Sequence, residues 1–221
     1  MKILFDLESG PLPLEQLAAI MPEFEASGTI KDPVKIEADI VKKRAAWMDK
    51  AALRATTGQV LALGWAVREG HFGEGETQTL IGEETEIIER FWAMTNAHPT
   101  KGMETVDHPM IGFYSNHFDL PFIIQRSRIL GIKIPASVLT CYRGRWNLNE
   151  RFVDLYDAWA CGNRDCGDNL NTVARSLGLP GKLGSGGDFA QLLITDRAAA
   201  VAYLTRDIEI AVAVAERLGV L

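Results

Sequence analysis

The stretch that most constrains the fold is the opening run Met1-Lys-Ile-Leu-Phe-Asp-Leu-Glu8. Lys2 to Leu7 reads as a short strand, apolar enough to sit in the middle of a sheet. Side chains alternate faces along a strand, so Asp6 and Glu8 point one way and Leu7 the other. Two carboxylates held together at the end of a buried strand repel each other unless a cation sits between them. Hard divalent ions such as Mg²⁺ favour this kind of oxygen cluster. An isolated Asp-x-Glu is more often two solvated acids at a strand end, so the rest of the chain has to decide.

With 221 residues, 47% of them hydrophobic, the chain can bury a sizeable core in one large domain or a domain carrying an insertion. A net charge of −6 argues against a protein that coats polyanions in general. It leaves nucleic acid open, because acids gathered at a metal site count in the total while being neutralised locally. The cysteines Cys141, Cys161 and Cys166 favour neither a disulfide framework nor a zinc site. Asp6 arrives too early for a signal-peptide core, and no apolar run reaches membrane-spanning length. The expectation is a soluble cytoplasmic protein without membrane contact.

Ser9-Gly-Pro-Leu-Pro13 breaks the first strand. A short helix is expected at 14–20, an irregular piece at 21–33, and a longer helix over 35–54 with Lys42, Lys43 and Arg44 clustered on it. Strands are expected at 59–67 and 77–81, separated by a loop at 70–75. A helix with acids in its first turn follows from Glu83. A buried strand at 110–114 leads into a helix over 119–130, which tolerates Pro121 in its first turn. Beyond a strand at 152–155, helices are expected at 169–177, 188–193 and 196–218. This order describes an α/β fold, a mixed sheet flanked by helices, with no linker that would divide residues 1–221 into independent domains.

Two further clusters carry chemistry. Asn116-His-Phe-Asp119 falls where a strand passes into a helix, a place where carboxylates line a crevice in α/β folds. Asp119 could equally be a simple helix cap. Tyr203 and Asp207 lie four apart in the last helix, so phenol and carboxylate share one face. Alone, they could be a core aromatic and a solvated acid.

Taken in order, Asp6/Glu8, Asn-x-Phe-Asp119 and Tyr-x₃-Asp207 resemble the three motifs of the DEDDy class of 3′–5′ exonucleases. The chain is similar to the predicted exonucleases related to the proofreading domain of family-B DNA polymerases. Flanking pieces agree, including Gly58-Gln-Val-Leu-Ala-Leu-Gly64 and Asp119-Leu-Pro-Phe122. The sister class has a histidine five residues before the last aspartate, where this chain has Ala202, so the tyrosine version applies. His117 receives no catalytic role and is expected to be a surface or packing residue.

The resemblance implies an RNase H-like fold with a helical insertion at 10–58 after the first strand. It also implies two divalent ions, Mg²⁺ or Mn²⁺, held by Asp6, Glu8, Asp119 and Asp207, with Tyr203 orienting the attacking water. Leu7, Asn116 and Phe118 are the candidate substrate contacts, although core packing is the ordinary role for Leu7 and Phe118. The implied substrate is the 3′ end of a single-stranded nucleic acid, DNA ahead of RNA. An exoribonuclease of the ribonuclease D type and a non-catalytic nucleic-acid-binding module are the alternatives. Lys42, Lys43 and Arg44 are candidates to hold the strand, as is Arg143-Gly-Arg-Trp146. Lys182-Leu-Gly-Ser-Gly-Gly-Asp188 reads as a flexible loop, since it lacks the ending of a nucleotide P-loop.

Overall fold

A computed structural model describes residues 2–68, 76–95, 109–139, 151–163, 165–182 and 189–221. The loop at 70–75, Arg143–Trp146 and the glycine-rich run after Lys182 lie outside the described residues. Five strands form one sheet in the order β3-β2-β1-β4-β5, with β1 Lys2–Pro11, β2 Gly58–Arg68, β3 Thr77–Ile81, β4 Met110–Gly112 and β5 Phe152–Asp154. β1 pairs antiparallel with β2 and parallel with β4; β2–β3 is antiparallel and β4–β5 parallel. The fold is therefore α/β with a mixed sheet, as the element order implies.

β1 is central because it is apolar on both faces. Ile3, Phe5 and Leu7 enter one core, packed by Ile87 and Phe91 of α3 (Glu84–Thr95) and by Leu120 and Ile123 of α4 (Asp119–Leu130). Leu4 enters the opposite core with Ile208 and Ala211 of the last helix, Arg197–Arg217. Asp6 and Glu8 share the parity of Leu4, which directs them to the face covered by that helix. The helix is built from an alanine-rich run whose N-cap Asp196 accepts the Ala199 N–H. Its buried stripe of Ala200, Tyr203, Leu204, Asp207, Ile208 and Ala211 recurs at helical spacing.

One buried ion pair ties the sheet to its helices. Arg126 of α4 grips Glu84 of α3 through two hydrogen bonds of 2.8 and 2.6 Å. Glu84 also accepts the Val60 N–H at the start of β2, and Arg126 donates to the Ala55 carbonyl. Because every partner is satisfied, the pair avoids the penalty of an uncompensated buried charge. Gly131 closes α4 in the left-handed conformation, φ 71°.

The segment between β1 and β2 leaves and returns at ladder partners, Pro11 opposite Gly58. It holds α1 (Leu14–Ile20), α2 (Pro33–Asp49) and a 3₁₀ turn, Ala51–Leu53. The helix expected over 35–54 thus starts at Pro33, capped by Asp32, and ends at Asp49. α2 buries no residue fully; Trp47 and Met48 pack against Leu12, Leu17 and Ala51. Lys43 bonds the Glu25 carbonyl and Asp39, leaving Lys42 and Arg44 exposed on this helix. Past β4, a short helix α5 (Leu155–Ala160) follows β5 directly. α6 (Leu170–Ser176), α7 (Phe189–Thr195) and α8 (Arg197–Arg217) follow. Among the described residues no helix is long and apolar enough to cross a membrane.

Candidate active site

Asp6 and Glu8 stand two apart on β1, opposite Gly64 and Ala62 of β2. α8 crosses this face and brings Asp207 to them, so that one carboxylate oxygen from each of Asp6, Glu8 and Asp207 lies within 4.8 Å of the others. Asp119, buried as the first residue of α4, is outside that mutual set. Its carboxyl still feels the Asp6 charge, and the Leu7 backbone N–H stabilises its ionised form. The same N–H helps to hold Asp6 ionised. Asp119 is not the helix cap: that position belongs to Phe118, which makes no side-chain capping bond.

Crowding and burial dominate the electrostatics. Burial, followed by the Asp207 charge, lifts Asp6 to about 6 against the pull of Lys182. Burial and the charges of Asp6 and Asp207 push Glu8 well above the usual carboxylate range. Burial and Asp6 do the same to Asp119, and burial raises Asp207. Burial and the Glu8 and Asp207 charges raise the Tyr203 phenol, so it stays protonated as a donor.

Lys182 brings positive charge into the site, with its ammonium 2.6 Å from Asp207 Oδ2 and 5.8 Å from the Tyr203 ring centre. Burial works against this charge, but Asp6 and Asp207 carry the Lys182 pKa above its ordinary value. It stands at the head of the glycine-rich run that the sequence presents as a loop, and no local spacing links it to Asp207. The Tyr203 hydroxyl faces Asp207 closely enough to favour its ionised form, yet neither that hydroxyl nor Asp207 Oδ1 completes a well-formed hydrogen bond although both are buried. Buried polar atoms left without full hydrogen bonding beside several acids are compatible with a site that takes a further polar or ionic partner.

The other candidate residues lie close by. Leu7 puts its side chain in the core. Asn116 donates from its side-chain amide to the Phe152 carbonyl, and its backbone N–H reaches Asp154. Phe118 packs against Phe122 with ring centres 5.5 Å apart. Asp154 ends β5 and caps α5, accepting the N–H groups of Tyr114, Asn116 and Tyr156. It is the organiser of the loop before Asp119, and in the sequence it is merely a strand residue. His117 pairs at the surface with Asp157 at 2.9 Å.

Residues 53–208 match the model of a family described as predicted 3′–5′ exonuclease related to the exonuclease domain of PolB. The match takes in Asp119, Tyr203 and Asp207 and begins after Asp6 and Glu8. The fold is similar to that of the family B DNA polymerase from the hyperthermophilic archaeon Pyrobaculum calidifontis, with a TM-score of 0.59 and 18% identity. That likeness covers 98% of this chain and 24% of the polymerase chain, so this chain spans about a quarter of the polymerase's length. No curated protein matches the chain.

Proposed function

Because the chain belongs to the family of predicted 3′–5′ exonucleases related to the exonuclease domain of PolB, we propose that it hydrolyses single-stranded DNA from the 3′ end using two divalent cations. The observation that carries this reading is the convergence of Asp6, Glu8 and Asp207 within 4.8 Å, with Asp119 set apart beside Asp6. We read the whole of 1–221 as one exonuclease domain, with residues 10–58 inserted.

The donor set fits hard cations. It is all carboxylate oxygen, it includes the buried Asp207 Oδ1, and burial holds its acids above their normal pKa values, which a bound cation would offset. Asp6, Glu8 and Asp207 would hold one ion, and Asp6 with Asp119 the second. Bound there, Mg²⁺ or Mn²⁺ would neutralise the phosphodiester and activate water.

The chain's own groups then have distinct tasks. Tyr203, neutral and with its hydroxyl beside Asp207, donates a hydrogen bond that orients the attacking water. Attack at phosphorus breaks the bond to the 3′-oxygen, which takes up a proton as the terminal nucleoside 5′-monophosphate leaves. Lys182 balances the acids and is placed to meet phosphate charge. Phe118 and Asn116, next to Asp119 in the chain, position the end of the strand.

Digestion of matched 5′-labelled DNA and RNA oligomers, with Mg²⁺, Mn²⁺ or EDTA, tests the reading. The expected result is a ladder of DNA shortened from the 3′ end, absent in EDTA. Equal or faster loss of RNA would move the substrate to the ribonuclease D type, and no shortening with either metal would refute the reading.

A further inference from the structure

We propose that Tyr114, His117 and Tyr156 form a stacking platform for an unpaired nucleobase of the strand whose 3′ end lies at the acidic cluster. This rests on the reading of that cluster as the hydrolytic centre. The starting observation is Tyr114, a bulky residue held in the left-handed region at φ 61° with 46% of its surface exposed. Side chains of this kind avoid that conformation unless the surroundings impose it. Here they do, because the buried Asp154 carboxylate accepts the N–H groups of both Tyr114 and Asn116 at 2.8 Å.

The outcome is a ring cluster at the surface. Tyr114 stacks on His117 with centres 4.7 Å apart and planes 25° apart, and Tyr156 meets Tyr114 edge-on at 5.0 Å. The His117 imidazole is fixed by Asp157 at 2.9 Å. The rings open on a cavity of about 580 Å³ that is also lined by Asp157, Gly162 and Asn163. That volume lies in the range of pockets that enclose small planar ligands.

Continuity with the acidic site selects the occupant. His117 and Phe118 donate their backbone N–H groups to the Tyr114 carbonyl, and Leu120 donates to the Ser115 carbonyl. The platform and Asp119 are thus two ends of one tightly bonded turn, and the Asp154 charge is felt at Asp119. A single strand entering the acidic cluster carries bases with exposed π faces. Aromatic side chains stack on any of the bases, which suits an exonuclease that must accept each nucleotide in turn.

The test is equilibrium binding of 5′-fluorescein DNA octamers in Ca²⁺ buffer, read by anisotropy, with one abasic residue stepped along the strand from the 3′ end. For the wild-type protein, one position should weaken binding about tenfold when its base is removed, the scale of a single base–aromatic stack. In Tyr114→Gly, which removes the ring and suits the left-handed backbone, the same abasic residue should cost less than about twofold. Tyr156→Leu is the second variant, should Tyr114→Gly fail to fold. A wild-type protein indifferent to every abasic position, or variants that keep the full abasic penalty, would overturn the platform. Failure of metal-dependent shortening with the abasic penalty intact removes only the catalytic reading. Intact shortening with no sensitive position removes only the platform.

Discussion

Gly64 lies directly across the β1–β2 ladder from Asp6. A Cβ on Gly64 would come within 2.9 Å of Leu204 and Ile208 on α8. The absent side chain lets the helix that carries Tyr203 and Asp207 settle against the strand that carries Asp6 and Glu8. Ala62 and Ala66 continue the small-residue row along the same face of β2. The distance between the acids is thus set by a residue with no chemistry of its own.

Gly64→Ala should therefore cost about 1–3 kcal/mol by overpacking. It should also weaken divalent-ion binding, since α8 must shift away from β1. A variant of unchanged melting temperature and metal affinity would show that α8 is placed by other contacts.

Asp6→Ala should reduce metal-dependent shortening by on the order of a thousandfold or more, the several kcal/mol that a metal supplies. Without metal its melting temperature should hold or rise, because one of the crowded acids is gone. Near-normal turnover would refute the metal-site assignment, and a lower metal-free melting temperature would refute the crowding.

Acidification should stabilise the metal-free protein. Asp6 titrates near 6 in the fold against an ordinary value of 3.8, and Glu8, Asp119 and Asp207 shift the same way. Between about pH 4 and 6 the folded state therefore holds more protons than the unfolded chain, and stability falls as pH rises through this window. Asp6 alone accounts for roughly 1–3 kcal/mol. Asp39 and Asp168 shift the opposite way, which confines the gain to that window. Saturating Mn²⁺ should offset the stability lost by pH 6, because it binds the ionised acids of the folded state. Denaturant titrations across pH, with and without metal, read both effects.

Tyr203→Phe should lower turnover by about tenfold to a hundredfold, the scale of a hydrogen bond to a charged group, with metal affinity nearly unchanged. Asp207→Asn should lose metal affinity. Calorimetry that found the two equally impaired in metal binding would remove the division of roles.

Lys182→Met should destabilise the metal-free protein by roughly 1–2 kcal/mol. This is less than for a sealed ion pair, because the Lys182 side chain keeps 23% exposure. Divalent metal should restore more of the loss in the variant than it adds to the wild type. Equal stabilisation of both proteins by metal would show that Lys182 does not act as counter-charge.

The parts of the site legible in the sequence are those set by local periodicity. Strand alternation puts Asp6 and Glu8 on one face, and helical spacing puts Tyr203 over Asp207. Most strand and helix positions follow from the same two periods. The role of Lys182 is not legible in the sequence, because its partner Asp207 is joined to it by tertiary packing alone. Tyr114 reads as the end of a strand, yet β4 stops at Gly112. Beyond it the chain turns to satisfy Asp154, whose three N–H partners include two from a loop far away in sequence. α5 is hidden in the sequence because its cap is the last residue of β5, which leaves no connecting segment to announce it.

Because Asp6 and Glu8 come from the first strand, Asp119 from mid-chain and Asp207 from the last helix, the acid set also records the order of assembly. β2 and β3 are neighbours in the chain and can pair locally. β1 must reach β2 across residues 12–57, and α8 must return to a strand far upstream in the chain. A chain still emerging from the ribosome before Asp207 holds at most part of this acid set. Under the proposed function, tight divalent-ion binding would then belong to the finished fold and be lost with either of these long-range packings.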